Sequence, residues 1–265
     1  MLIDVNAYIG HYPFRIFKYR TAVDLIKQMD KYGIDKSCVS SLNAVYYTDC
    51  MDGNYELLDE IAPYSDRLIP FCVINPEYNE AINDFLLCVD NLGFKGLRLF
   101  PRQQHYDLSG EASVELLKTA GEKNIPVHIP ILLQDLRGCH PMENPKQISA
   151  EEIKDAALAA PYTNIILSNA YLSHYSYIIE PACKEHPGMI YYDIGRLDCL
   201  QFPDGIVTVA ENAGYDHILF GTGALLQNIP VQLVKLHYMN KLGTVSPEQL
   251  EGIKNKNISR IVSLK

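Results

Sequence analysis

No Cys-x-x-Cys pair occurs in the 265 residues, and basic side chains are scarce, 23 Lys and Arg against 32 Asp and Glu. The formal charge of −9 leaves no general basic surface for nucleic acid or an anionic membrane. A small anionic metabolite stays open as partner, because it answers to the local field of a cleft. The seven cysteines are an odd number without metal-ribbon spacing, which argues against a disulfide framework and for a reducing compartment. Cys38 and Cys72 lie within apolar runs, where cysteine acts as a small hydrophobe. No apolar run reaches membrane-spanning length. The opening Met1-Leu2-Ile3-Asp4-Val5 reads as a strand rather than a secretory leader, so the expected location is cytoplasmic. Gly-x-Gly-x-x-Gly and Walker A sequences are missing, which removes the two commonest nucleotide-binding readings. No linker-like stretch divides the chain.

What is present is alternation. Short apolar, β-branched runs recur at Leu2–Val5, Ser37–Leu42, Leu68–Ile74, Gly96–Phe100, Val127–Ile131, Asn164–Ser168, Met189–Ile194 and Ile218–Phe220. Helical periodicity fills the intervals. Thr21–Tyr32 places Val23, Ile26, Met29 and Tyr32 on one stripe, Ala81–Asn91 repeats the pattern, and Ser113–Lys123 and Pro181–His186 are weaker versions. Ser149 with Glu152 forms a capping-box pattern, and Ser246-Pro247 opens a last helix. Strands alternating with helices imply a parallel sheet, and eight such units fit a closed (β/α)8 barrel spanning residues 1–265. An open doubly wound sheet is the lesser alternative. Two long connections, Asn43–Asn54 and Leu132–Gln147, follow strands and so belong on the catalytic face.

Several segments carry a resemblance. Ile3-Asp4-Val5-Asn6-Ala7-Tyr8-Ile9-Gly10 resembles the Ile-Asp-x-His-x-His-x-Gly opening of the amidohydrolase-related family. Gly93–Pro101 is similar to that family's fourth strand, Asn124-Ile125-Pro126-Val127 to its entry into strand five, and Ile218–Thr222 to its strand eight. Val245-Ser246-Pro247-Glu248 with Asn257 and Arg260 is similar to its terminal helix. The resemblance implies a metal-dependent hydrolase barrel whose divalent ion is held by histidines and an aspartate. At the matching positions this sequence has Asn6, Tyr8, Pro130, Asn169 and Gly223, none a good ligand. The expectation is therefore a hydrolase or related lyase without a cofactor, acting on a small carboxylate-bearing substrate. The alternative is an inactive barrel that binds a metabolite or partner. A misplaced ligand set is the third reading.

The candidate catalytic residues are His128, His140, His174 and Tyr8. The candidate substrate-binding residues are Asn6, Arg98, His105, Arg137, Asn169 and Gly223. Histidine titrates near neutrality and is the natural proton carrier. His128 is also readable as a hydrogen-bonded interior histidine. Arg98 on an apolar strand requires a partner, either Asp4 or Asp193 or an anionic ligand. Gly221-Thr222-Gly223 can be a tight turn or a backbone cradle for phosphate. Barrels of this type often pair, so a homodimer stays open.

Overall fold

The computed structural model describes all residues except 135–138, 144–145, 171, 185–189, 196–203, 242 and 264–265. Eight parallel strands follow one another around a single sheet. They are β1 (Ile3–Ile9), β2 (Lys36–Ser41), β3 (Leu68–Val73), β4 (Gly96–Arg98), β5 (Val127–Pro130), β6 (Ile165–Ser168), β7 (Ile190–Asp193) and β8 (Ile218–Leu219). The seam closes where Val5 N donates to Phe220 O at 2.9 Å, Gly223 N to Asn6 O at 2.7 Å, and Ala7 bridges Ala224. The expected (β/α)8 barrel is the fold.

The period of two along each strand sorts the side chains. Leu97, Leu99, Val127, Ile129, Ile165 and Leu167 face the helices, in the large apolar layer between sheet and helix ring. Ile3, Val5, Cys38, Ile69, Phe71, Ile166, Tyr191 and Leu219 fill the lumen near the strand starts, closed by Ile258 and Val262 of the C-terminal segment. Arg98 and His128, paired directly across β4 and β5, fall on the lumen side above that layer.

Local signals account for the helices. Thr21 caps α1 (Ala22–Tyr32) in a capping box with Asp24, and Gly33 ends it in the left-handed conformation. The buried stripe is Ala22, Leu25 and Met29; Val23, an expected member, is exposed. Asn43–Asn54, expected as a long loop, folds into α2 (Leu42–Tyr46) and α3 (Cys50–Ile61). Ser41 and Asp49 supply the N-caps. At the C-terminus, Ser246 and Gln249 form a capping box for the helix Pro247–Glu251. Ser246→Ala should lower stability by about 1 kcal/mol in a denaturant titration. An unchanged midpoint would show that docking of Ile253 and Ile258 alone holds the segment.

Candidate functional site

Arg98 is completely buried at the end of β4. Its Nη1 donates to Ala7 O at 3.0 Å and its Nη2 to Val5 O at 3.3 Å. The guanidinium lies 4.5 Å from the centre of the Tyr8 ring and 5.9 Å from that of Phe71, within cation–π range. Two carbonyls and two rings tie it across the lumen, but they do not neutralise it. Asp4 and Asp193, the expected counter-acids, make no ion pair with it; Asp4 turns to Thr222 and Asp193 to Asn6. The charge is therefore buried without a carboxylate partner among the described residues, and its Nε has no acceptor.

His128 stands beside it, equally buried, and neither ring nitrogen has a partner. The hydrogen-bonded interior histidine of the sequence reading is thus not what the chain builds. Burial, and then the Arg98 charge, push its pKa well below the ordinary value, so the imidazole is neutral. The Tyr8 hydroxyl and Ser168 Oγ are also buried and unpartnered. Burial raises Tyr8 to about 12 while Arg98 opposes the rise.

A second group lies where β1, β7 and β8 meet. Asn6 Nδ2 donates to Asp193 Oδ2 at 2.9 Å, and Gly195 N donates to Asp193 Oδ1 at 3.0 Å. Asp4 Oδ1 accepts from Asn6 N and Thr222 N, both at 2.9 Å, and Oδ2 accepts from Thr222 Oγ1. Both carboxyls are fully buried. Desolvation outweighs these hydrogen bonds and pushes Asp4 up to about 7 and Asp193 up to about 6. Three backbone donors of the β8 turn are already committed: Gly223 N to Asn6 O, Thr222 N to Asp4, and Ala224 N to Thr222 Oγ1. The phosphate-cradle reading of Gly221–Gly223 fails for that reason. Asn169 is tied down too, donating to Leu132 O at 2.8 Å and accepting from Gln227 Nε2 at 2.7 Å.

Above the lumen the mouth is roofed. Tyr8, Tyr12, Leu42, Val45, Phe100, Leu133 and Leu226 form one buried cluster, with Phe14, Phe17 and Tyr46 packed against it. A polar latch crosses the roof: the Tyr12 hydroxyl donates to Glu143, and Gln134 Nε2 reaches both. His140 is exposed and stacks on Phe14, ring centres 5.7 Å apart. The structure thus brings Asn6, Tyr8, Arg98 and His128 together and leaves His140 on the outside of the roof. His105 lies apart, lining an open cleft of about 740 Å³ with Arg102, Lys146 and Glu152. Arg137 and the side chain of His174 fall outside the described residues.

Sequence reading named Asp4 and Asp193 only as partners for Arg98 and passed over Ser168 and Gln227. The available signal for Asp193 was its place at the C-terminal end of a barrel strand, where such folds put their chemistry.

Solved structures share this architecture at low identity. A 2,6-dihydroxybenzoate decarboxylase from Rhizobium superposes with a TM-score of 0.71 at 15% identity, covering 98% of each chain. A dihydroxybenzoic acid decarboxylase from a Polaromonas species, with bound manganese and 2-nitroresorcinol, gives 0.71 at 15% over 98% of this chain and 96% of that one. A 5-carboxyvanillate decarboxylase from Novosphingobium aromaticivorans, with manganese and 3-methoxy-4-hydroxy-5-nitrobenzoic acid, gives 0.75 at 14% over 98% and 96%. The two structures with bound manganese overturn the expectation that no cofactor belongs here, since barrels that superpose on this chain hold a divalent metal. The donors of this chain do not match such an ion. Asn6 offers only a neutral amide oxygen, that of Asn169 already accepts from Gln227, Pro130 and Gly223 have no side-chain ligand atom, and among the described residues no three His, Cys, Asp or Glu side chains converge to hold a metal. Among the described residues no helix is long and apolar enough to cross a membrane. No curated protein matches the sequence. The amidohydrolase family model matches residues 43–264, and with the barrel and its strand order on the page, the chain belongs to the amidohydrolase family.

Proposed function

We propose that the barrel takes a small carboxylate-bearing substrate into its lumen and carries out a hydrolytic or lyase step on it. Arg98 is the counter-charge, and His128 and Tyr8 handle the proton. The observation that carries this reading is a set of buried, unpartnered polar atoms contributed by β1, β4, β5 and β6: Arg98 Nε, both His128 nitrogens, the Tyr8 hydroxyl, Asn6 Oδ1 and Ser168 Oγ. Interiors satisfy nearly all such atoms, so this set is built to be completed by something that enters. The relatives named for carboxylate substrates support the same substrate class.

The chemistry follows from the charges. With Arg98 uncompensated, a protonated His128 is doubly disfavoured, by burial and by its neighbour. A bound carboxylate cancels the second effect and makes His128 a better base only when substrate is in place. Tyr8, held protonated by burial, can donate to the oxygen or leaving group where charge develops. His140, stacked on Phe14 outside the roof, takes no part in this step.

The roof also favours a second reading, an inactive barrel that retains a metabolite, since nothing in the lumen is exposed. One experiment separates the two. Small carboxylates titrated into labelled protein should shift the His128 ring resonances and raise its pKa. Arg98→Met should abolish that response. Turnover of carboxylate esters, lactones and aromatic acids, assayed with and without added manganese, then decides between enzyme and binder. The site reading is wrong if no carboxylate perturbs His128, or if Arg98→Met binds as well as the parent.

A further inference from the structure

Asp193 sits in a slot that two glycines clear for it. A Cβ built on Gly221 would lie 2.3 Å from Asp193 Oδ2 and 2.7 Å from its Cγ, and one on Gly195 would lie 3.0 Å from both carboxylate oxygens. No side chain is tolerated at either place while the carboxylate keeps its position. From that slot Oδ2 reaches past the end of β8 to accept from Asn6 Nδ2 at 2.9 Å. The other oxygen is held by Gly195 N, and the backbone N–H of Asn169 also donates to the group.

The consequence falls on Asn6. An ionised carboxylate only accepts hydrogen bonds, so the end of the amide that faces it must be the NH2. The carbonyl end, Oδ1, is then turned away from Asp193, and it is buried with no partner. Among the other unsatisfied groups of the lumen, Arg98 Nε, the Tyr8 hydroxyl, the Ser168 hydroxyl and one nitrogen of the neutral His128 carry protons to donate. Asn6 Oδ1 can only accept.

Resting on the reading of the lumen as the substrate site, we infer that Asp193 is a positioning residue that fixes the Asn6 amide with its carbonyl toward the substrate. The lumen therefore selects a carboxylate that also carries a hydrogen-bond donor, such as a hydroxyl, placed to meet Asn6. A molecule lacking that donor would bury Oδ1 unsatisfied. Discrimination of this kind, where a built polar group loses its mate, is much larger than discrimination by size alone.

The test uses three pairs of probes, the ortho, meta and para hydroxybenzoates and their methyl ethers, titrated into the full chain by calorimetry. Each ether keeps the acid and the ring but loses the donor. In the wild type at least one hydroxy acid should bind tighter than its ether by tenfold or more, about 1.4 kcal/mol. Asp193→Asn is nearly isosteric but lets residue 193 donate as well as accept, so the Asn6 amide is free to turn; the preference should fall to within about twofold. Asn6→Leu should do the same by removing the acceptor. A merely structural role for Asp193 would weaken acid and ether alike and leave their ratio unchanged. The Asn6 side-chain amide resonance, identified by its loss in Asn6→Leu, should move in Asp193→Asn; this reports the reorientation even if that variant is less stable. Equal binding of acid and ether by the wild type, or a preference that survives in Asp193→Asn, overturns the inference while leaving the lumen site standing. Absence of any benzoate binding overturns both. Binding that is lost in Arg98→Met but shows no donor preference overturns this inference alone.

Discussion

His128→Leu should unfold at a higher temperature than the wild type. The imidazole is wholly buried with both nitrogens unpartnered. A polar group buried without its hydrogen bond costs about 1–3 kcal/mol in proteins, and an apolar residue of similar volume carries no such cost. Leucine also keeps an apolar side chain beside Ile166, the residue paired with position 128 on β6. A gain of about 1–3 kcal/mol in a chain of this size raises the midpoint by roughly 2–8 °C. Ligand response should vanish in the same variant. That pairing of gained stability with lost function is the mark of a group kept for its chemistry. A lowered midpoint would mean that the imidazole is satisfied in solution and holds the barrel together, and the proton-handling role would lose its main support.

The barrel was readable from sequence because its signal is repeated and redundant. Eight apolar runs, each bounded by caps and glycines, point to one answer even when individual boundaries slip. β1 extends to Ile9 rather than ending at Val5, since nothing in Asn6-Ala7-Tyr8 looks like an apolar strand. Those residues are extended because the lumen end of a barrel strand is allowed to be polar. The register also shifts between Asp4 and Ala7, a local irregularity that alternation in one sequence cannot reveal. The helix after β6 shows a different failure. Proline favours the first turn of a helix, which suggests a start at Pro181. The chain instead forms a helix over Leu172–Cys183 with Pro181 inside it. In α1 the buried face includes the small Ala22 and leaves the larger Val23 outside, so apolar size misplaces the stripe by one position.

The site was only half legible for a physical reason. Period two along β4 and β5 gave Arg98 and His128, while Asn6 and Tyr8 came from the resemblance of the opening, because the irregularity between Asp4 and Ala7 breaks the alternation of β1. What those residues bond to depends on which strands become neighbours around the closed sheet. Asn6 and Asp193 are 187 positions apart, and only closure of β8 onto β1 brings them together. The same closure gives Asp4 to Thr222 rather than to Arg98. No local pattern marks a carboxylate that is spoken for, or an arginine that is not. The roof was equally hidden, because Tyr12 and Phe14 lie in an irregular segment without periodic pattern and meet Leu42, Val45 and Leu133 only in the folded barrel.

Stability should peak on the acid side of neutrality, unlike that of a protein whose carboxylates are held by ion pairs. Asp4 and Asp193 have their pKa values raised from 3.8 to about 7 and about 6. The folded state therefore holds protons that the unfolded state has released, and stability is lost as pH rises through those values. Between pH 8 and pH 5 the two groups together contribute about 4 kcal/mol in favour of the folded state at the lower pH. His128 works in the opposite sense. Its folded pKa is depressed, so the unfolded chain gains a proton below about 6.5 that the folded one refuses, and part of that stability is returned by pH 5. The net expectation for the wild type is more stability at pH 5 than at pH 8, read from urea midpoints at fixed salt. In His128→Leu the opposing contribution disappears and the difference should widen. Asp4→Asn, which cannot titrate, should flatten the dependence between pH 6 and 8, where Asp4 supplies most of it. A wild-type curve that rises steadily from pH 5 to pH 8 would show that both carboxyls are ionised in the folded barrel throughout, held so by the buried Lys235, which donates to Ile194 O at 2.7 Å and favours the ionised form of Asp193.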